Sequence, residues 1–323
     1  MCILLLCWTY STDEEFQWLE YFAGEANLTS VMASAMYTCG KFDILYNEQP
    51  EHRKSNYMDL THASGYGLAL LCILRCRVGD FAAHLGLKCS SLCKMNHGTS
   101  QRSACASVGF WEYPSVYTAN VLIERSCTMV ALVTALGGLW SLEQPSGSVL
   151  EYYPTWRHLM AKIFENGGIH SVTTVRWWMG HYNAPTPKRH WGASNSPLIR
   201  KIDKGVLQGW KKKSTSTPVV KYRDSQGREK YKGTKDLRKT EVYPVAFARE
   251  ILDSVEAMKA STHGQPALPN PLPTAFETFT TMKWSTDDDI WGFVDFAQLF
   301  NYIRNNRSLR IPSEWKAVVP KTM

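Results

Sequence analysis

Glu20-Tyr21-Phe22-Ala23-Gly24-Glu25-Ala26-Asn27 joins an apolar run, Phe16–Phe22, to a stretch, Leu28–Cys39, in which Leu28, Val31, Met32, Ala35 and Met36 recur at helical spacing. A strand-length apolar run, a small-residue turn and an amphipathic helix make one βα unit. Within it Gly24 permits a sharp turn, and the small Ala26 lets a ligand approach the start of the following helix. The same alternation repeats outward. Further strands are predicted at Phe42–Tyr46, Phe81–Leu87, Leu139–Leu142 and Ser171–Trp177, and helices at Tyr66–Arg77 and Ser115–Leu136. Another helix is expected after Ser148, interrupted at Pro154. Repeated βα units predict an α/β fold built on a doubly wound, mostly parallel sheet.

The chain has 323 residues, room for one large domain plus an appendage. Its 44% hydrophobic content, with 12 Trp, 15 Tyr and 12 Phe, supplies an ample core and excludes wholesale disorder. Met1–Tyr10, the most apolar N-terminal stretch, is too short to cross a bilayer and lacks a basic leader, so no membrane association is expected. The nine cysteines are odd in number and none lies beyond Cys127. That pattern suits reduced thiols in an intracellular compartment, nucleus or cytoplasm, rather than a disulfide framework.

Charge is concentrated in one place. Residues 200–239 hold 14 Lys/Arg and 4 Asp/Glu, a local +10 that exceeds the whole chain's formal +7. Inside this segment Val219–Arg223 and Arg228–Lys232 flank Asp224-Ser225-Gln226-Gly227, a turn signal that predicts a β-ribbon. Tyr222 and Tyr231 interleave with Lys221, Arg223, Arg228 and Lys230, and Lys211, Lys212 and Lys213 precede them. Backbone-neutralising cations beside stacking rings suit a nucleic-acid partner, DNA or RNA; a solvated basic face is the competing reading. Phe247, Ile251, Val255 and Met258 then mark a helix, Pro266–Pro273 a linker and Trp291–Ile303 a last short helix.

In open α/β sheets ligands bind beyond the carboxyl ends of the strands. Besides the turn at Gly24, Asn47-Glu48 follows the second strand, where a carboxylate can hold ribose hydroxyls. Cys89 follows the third beside Lys88, whose charge favours a thiolate, and opens a polar loop carrying Arg102, placed to meet phosphate. Glu143 emerges from the apolar run at Leu139. Each has a structural counterpart: a plain turn, a surface carboxylate, a small buried thiol, a hydrogen-bonded acid. Cys89, Cys93 and His97 are spaced by four, but the run is a poor helix and no metal site is assigned. His181 and His190 flank an expected loop at Pro185-Thr186-Pro187-Lys188-Arg189.

Taken in order, Glu20-Tyr21-Phe22-Ala23-Gly24 is similar to the Asp-Leu-Phe-Ala-Gly opening of the DNA cytosine-5 methyltransferases. Glu48 resembles the family's ribose-binding acid, Met58-Asp59-Leu60 its adenine-contacting motif, Cys89 its Pro-Cys nucleophile and Glu143 its Glu-Asn-Val carboxylate. The resemblance implies a methyltransferase-like Rossmann fold with S-adenosylmethionine held by Phe22, Gly24, Ala26, Glu48 and Asp59. It also implies that Cys89 adds to C6 of a cytosine, that Glu143 holds the N3 edge, and that the base is flipped or single-stranded. Ala26 stands where the family has a second glycine, Lys88 where it has proline, and Gln144-Pro145 where it has Asn-Val. No late motif returning to the first strand is identified. The alternative is a catalytically inactive module of the same fold that binds nucleic acid through its basic segment. The expected organisation is a methyltransferase-like domain over 12–195, a basic ribbon over 196–243 and a helical tail with its Pro-rich linker over 244–323.

Overall fold

A computed structural model describes residues 13–47, 56–209 and 216–261. In chain order the sheet and its helices are β1 (Trp18–Tyr21), α1 (Asn27–Ser34), β2 (Cys39–Phe42), α2 (Ala63–Leu74), β3 (Ala82–Leu85), the single turn α3 (His97–Ser100), α4 (Pro114–Ala135), β4 (Leu139–Pro145), α5 (Pro154–Gly167), β5 (Thr173–Trp178), β6 (Arg189–Ser194), the ribbon strands β7 (Val219–Arg223) and β8 (Glu229–Gly233), and α6 (Val245–Ala260). Six strands form one sheet in the order β2-β1-β3-β4-β6-β5. β1 to β4 are mutually parallel, and β6 runs antiparallel to both its neighbours. The mostly parallel α/β sheet is therefore as expected.

Alternation along the strands decides which residues face which layer. Leu19, Tyr21, Ala83, Leu85, Trp140 and Leu142 join one core with residues of α2, α4 and α5. Trp18, Ala82, Leu139, Val175 and Trp177 join the other with α1 and α6. α4 is long and apolar enough to cross a membrane by length and composition, but most of it is buried inside the fold.

Three differences from the sequence reading have local causes. β2 ends at Phe42 because Asp43 Oδ1 accepts the Leu45 N–H at 3.0 Å, turning the chain into a short 3-10 segment at Ile44–Asn47. Pro154 does not interrupt α5 but starts it, its missing N–H falling on a donor that a first turn leaves unpaired. β6, for which no strand was expected, starts at Arg189 where the expected loop ends; its Gly192 packs so tightly that an added Cβ would stand 2.7 Å from Leu142 O.

The segment read as a tail begins as part of the sheet domain. Phe247, Ile251, Val255 and Met258 of α6 pack in the core that holds Leu28 and Met32 of α1, and the Phe247 ring stacks on Trp177 at 5.6 Å. The Pro266–Pro273 linker and the Trp291–Ile303 helix lie outside the described residues.

Candidate functional site

The strand order reverses at β1, flanked by β2 and β3, which puts the crevice beyond the carboxyl ends of β1 and β3. Gly86, just past β3, donates its N–H to Tyr21 O at 3.1 Å. A Cβ at Gly86 would stand 3.4 Å from Phe22 O and 2.8 Å from the Tyr243 hydroxyl. Glycine is thus required for the turn after β1, the loop leading to Cys89 and the Tyr243 ring to meet.

Polar groups cross the α1/α6 face of the sheet in one register row, Glu20 opposite His84 and His84 opposite Ser141. All three are buried, and so is Glu143, two residues along β4 from Ser141. The Tyr243 hydroxyl donates to Glu143 Oε2 at 2.6 Å, and His190 Nδ1 bonds Oε1. Burial alone would raise the Glu143 carboxyl, but the His190, Lys188 and Tyr243 partners outweigh it and hold it at about 2. Burial lowers His190, and its Nε2 is buried without a partner, so the ring is a neutral Nδ1–H donor to an ionised Glu143.

His84 continues the chain of bonds. Burial lowers it to about 4, so it too is neutral. Because the Tyr243 proton is given to Glu143, His84 Nε2–H donates to the Tyr243 oxygen at 3.3 Å and Nδ1 accepts from Ser141 Oγ at 2.8 Å. Ser141, His84 and Tyr243 therefore form a one-way relay ending on the Glu143 carboxylate. Behind it lies a cavity of about 10 Å³ bordered by His84, Glu143, Trp177 and Phe247, space for about one water.

Cys89 lies within electrostatic reach of Glu143 and Lys188. The Cys93 thiol pulls the Cys89 thiol down, burial opposes this, the Lys188 ammonium adds to the lowering and the Glu143 charge works against it. The structure thus brings the two chemical candidates, Cys89 and Glu143, to one site, each biased toward its anionic form.

The turn after β1 is bent by left-handed backbone at Phe22 (φ 61°), Gly24 (φ 51°) and Ala26 (φ 54°). For Phe22 and Ala26 that conformation costs on the order of 1 kcal/mol each, strain of a kind found at ligand clamps. Asp43 Oδ2 accepts the Gly24 N–H at 2.9 Å, and Tyr46 donates its hydroxyl to Gly24 O at 2.6 Å. Glu20, immediately before the turn, has one carboxylate oxygen bonded to Thr29 and the other buried without a partner. A strained small-residue turn, an acid at the end of β2 and an orphaned buried oxygen fit a polar cofactor with hydroxyl and ammonium groups.

The remaining expected residues are distributed otherwise. Glu48, Lys211, Lys212 and Lys213 lie outside the described residues. Asp59 accepts from Thr61 N at 2.8 Å and Thr61 Oγ1 at 2.7 Å, shaping the turn before α2. Arg102, expected on a loop facing phosphate, is instead 1% exposed. Its guanidinium donates to Ser107 O, to Ser91 Oγ at 3.2 Å, to Val116 O at 3.3 Å and to Asn120 Oδ1 at 2.8 Å, fastening the loop after Cys89 to α4.

β7 pairs antiparallel with β8, with Tyr222 opposite Lys230 and Tyr231 opposite Lys221, and both rings are about half exposed. Two of its cations are committed locally, Lys221 to Glu229 at 2.6 Å and Arg228 to Asp224 at 2.9 Å.

Sequence reasoning missed Asp43, Lys188, His190 and Tyr243 as parts of the site. Asp43 was hidden inside the run Phe42–Tyr46 read as a strand, which ends at Phe42; the other three needed β6 and the return of α6. The chain matches no protein-family model, no curated protein and no solved structure.

Proposed function

We propose that this chain is an S-adenosylmethionine-dependent methyltransferase-like protein acting on a nucleic-acid pyrimidine. The observation that carries the reading is that Cys89, a thiol biased toward thiolate, lies within electrostatic reach of Glu143, whose two carboxylate oxygens are held by His190 and Tyr243. When bound, the cofactor supplies an electrophilic methyl group. The turn Phe22–Ala26 would hold it, with Asp43 directly after β2, and Glu48 and Asp59 further along the chain. Cys89 thiolate would add to C6 of the ring, making C5 nucleophilic, while the Glu143 carboxylate accepts from the N4 amino group of a cytosine. Lys188, within electrostatic reach of Cys89, favours the attacking thiolate, and His190 fixes the carboxylate that meets the base. The exposed Tyr222 and Tyr231 with their neighbouring cations would hold the strand.

A second reading, a binding module of the same fold without catalysis, is favoured by one observation: Tyr243 already engages Glu143 Oε2 and packs against Gly86. Transfer of labelled methyl groups from S-adenosylmethionine to single-stranded and duplex nucleic acids separates the two. Transfer abolished by Cys89→Ser and Glu143→Gln, with cofactor binding retained, supports the enzyme; nucleic-acid binding without transfer supports the module.

A further inference from the structure

We infer that Cys89 and Cys93 form a reversible disulfide under peroxide, making the loop after β3 an oxidation site that closes the Cys89 thiol. This goes beyond the proposed activity and holds whether or not Cys89 attacks a base.

The pair is preset by the backbone. Cys89 O accepts the N–H groups of Leu92 at 2.9 Å and Cys93 at 3.0 Å, so the chain makes one helical turn between the two cysteines. One such turn separates Cα atoms by about 6 Å, inside the range a disulfide spans. Cys93 is anchored independently by an antiparallel bridge to Ser148, and Lys94 N–H bonds Gly147 O at 3.2 Å. Each thiol shifts the other's ionisation, Cys89 down and Cys93 up, and Lys188 lies within electrostatic reach of both. Both residues are reduced and partly accessible, while Cys72, Cys76 and Cys127 are buried in the core. Among the described residues no group of three or more His, Cys, Asp and Glu side chains is arranged to hold a metal ion that would claim the pair.

The chemistry closes without a further reactant. Cys89 thiolate attacks one peroxide oxygen, forming an S–O bond and breaking O–O, and the departing hydroxide takes a proton from solvent. Cys93 then attacks the Cys89 sulfenic sulfur; the S–S bond forms, S–O breaks, and the leaving hydroxide takes the Cys93 proton. Two thiols and hydrogen peroxide give a disulfide and two waters. A dithiol reductant reverses the exchange.

The sequence supplies a direct readout, because Lys88 and Lys94 flank the pair and trypsin releases Cys89–Lys94 as one peptide. The folded full-length chain is treated with dilute hydrogen peroxide, quenched with iodoacetamide, digested and mapped by mass spectrometry. The expected result is a peptide two hydrogens lighter and unalkylated, formed at least about tenfold faster than the exposed Cys105 is oxidised, and restored by dithiothreitol. Denatured chain should lose that preference. In Cys93→Ser, Cys89 should advance to the irreversible sulfinic acid. Recovery of the peptide with both thiols alkylated after Cys105 has oxidised, or of Cys89 joined to a third cysteine, would overturn the inference on the wild-type chain alone.

Discussion

Tyr243 and Glu143, a hundred residues apart, are joined by a 2.6 Å hydrogen bond across the crevice beyond β3. Burial, the Glu143 charge and this bond push the Tyr243 hydroxyl well above its usual range, so it stays a donor. Removing that donor leaves Glu143 Oε2 and His84 Nε2 without their partner. Tyr243→Phe should therefore cost about 1–3 kcal/mol by chemical denaturation. It should also raise the Glu143 carboxyl, measurable as a shift in its infrared titration. An unchanged titration would mean that the hydroxyl does not hold the carboxylate.

Glu20 gives the fold a pH dependence of known sign. Burial, only partly offset by Thr29 and Lys41, raises its carboxyl from 4.5 to about 7. The folded state then binds a proton that the unfolded state releases, so stability from this group is full below pH 4.5 and lost as pH rises through about 7. His84 acts oppositely, losing stability as pH falls from 6.5 toward 4. Between pH 5 and 8, Glu20→Gln should gain about 2 kcal/mol relative to wild type, read from denaturation curves at both values. Equal differences at the two pH values would exclude a raised Glu20.

The sequence made the βα order legible because α1 and α6 are amphipathic and β1, β3 and β4 are short apolar runs. It hid β6, whose Arg189-His190-Trp191-Gly192-Ala193-Ser194 mixes charge, glycine and small residues after two prolines. It likewise showed α6 as an amphipathic helix, but not that Phe247 stacks on Trp177, seventy residues earlier. Of the site, Cys89, Glu143 and the Gly24 turn were readable locally. Lys188, His190 and Tyr243 were not, because long-range pairing alone gives them their roles.

Arg102 carries a structural load that its place on a polar loop concealed. Lysine cannot reproduce four bonds from one planar fork, so Arg102→Lys should lose about 2–4 kcal/mol of stability. The salt dependence of nucleic-acid binding by the folded variant should match wild type. A shallower slope would place Arg102 on phosphate after all.

The hairpin should carry the salt-sensitive part of binding. Lys230→Ala with Lys232→Ala should reduce the slope of log affinity against log salt by about 0.9 per lost phosphate contact, and Tyr222→Ala should weaken single strands more than duplex. Fluorescence anisotropy across a salt series reads both. Slopes identical to wild type would move the nucleic-acid surface elsewhere.

The central claim is a cofactor site at the Gly24 turn, and calorimetric titration of the full chain with S-adenosylmethionine tests it most directly. Micromolar binding is expected, abolished by Gly24→Val at its left-handed position and weakened by Asp43→Asn and by Asp59→Ala. A folded chain that takes up no S-adenosylmethionine would contradict the methyltransferase account and leave the basic hairpin as the functional element.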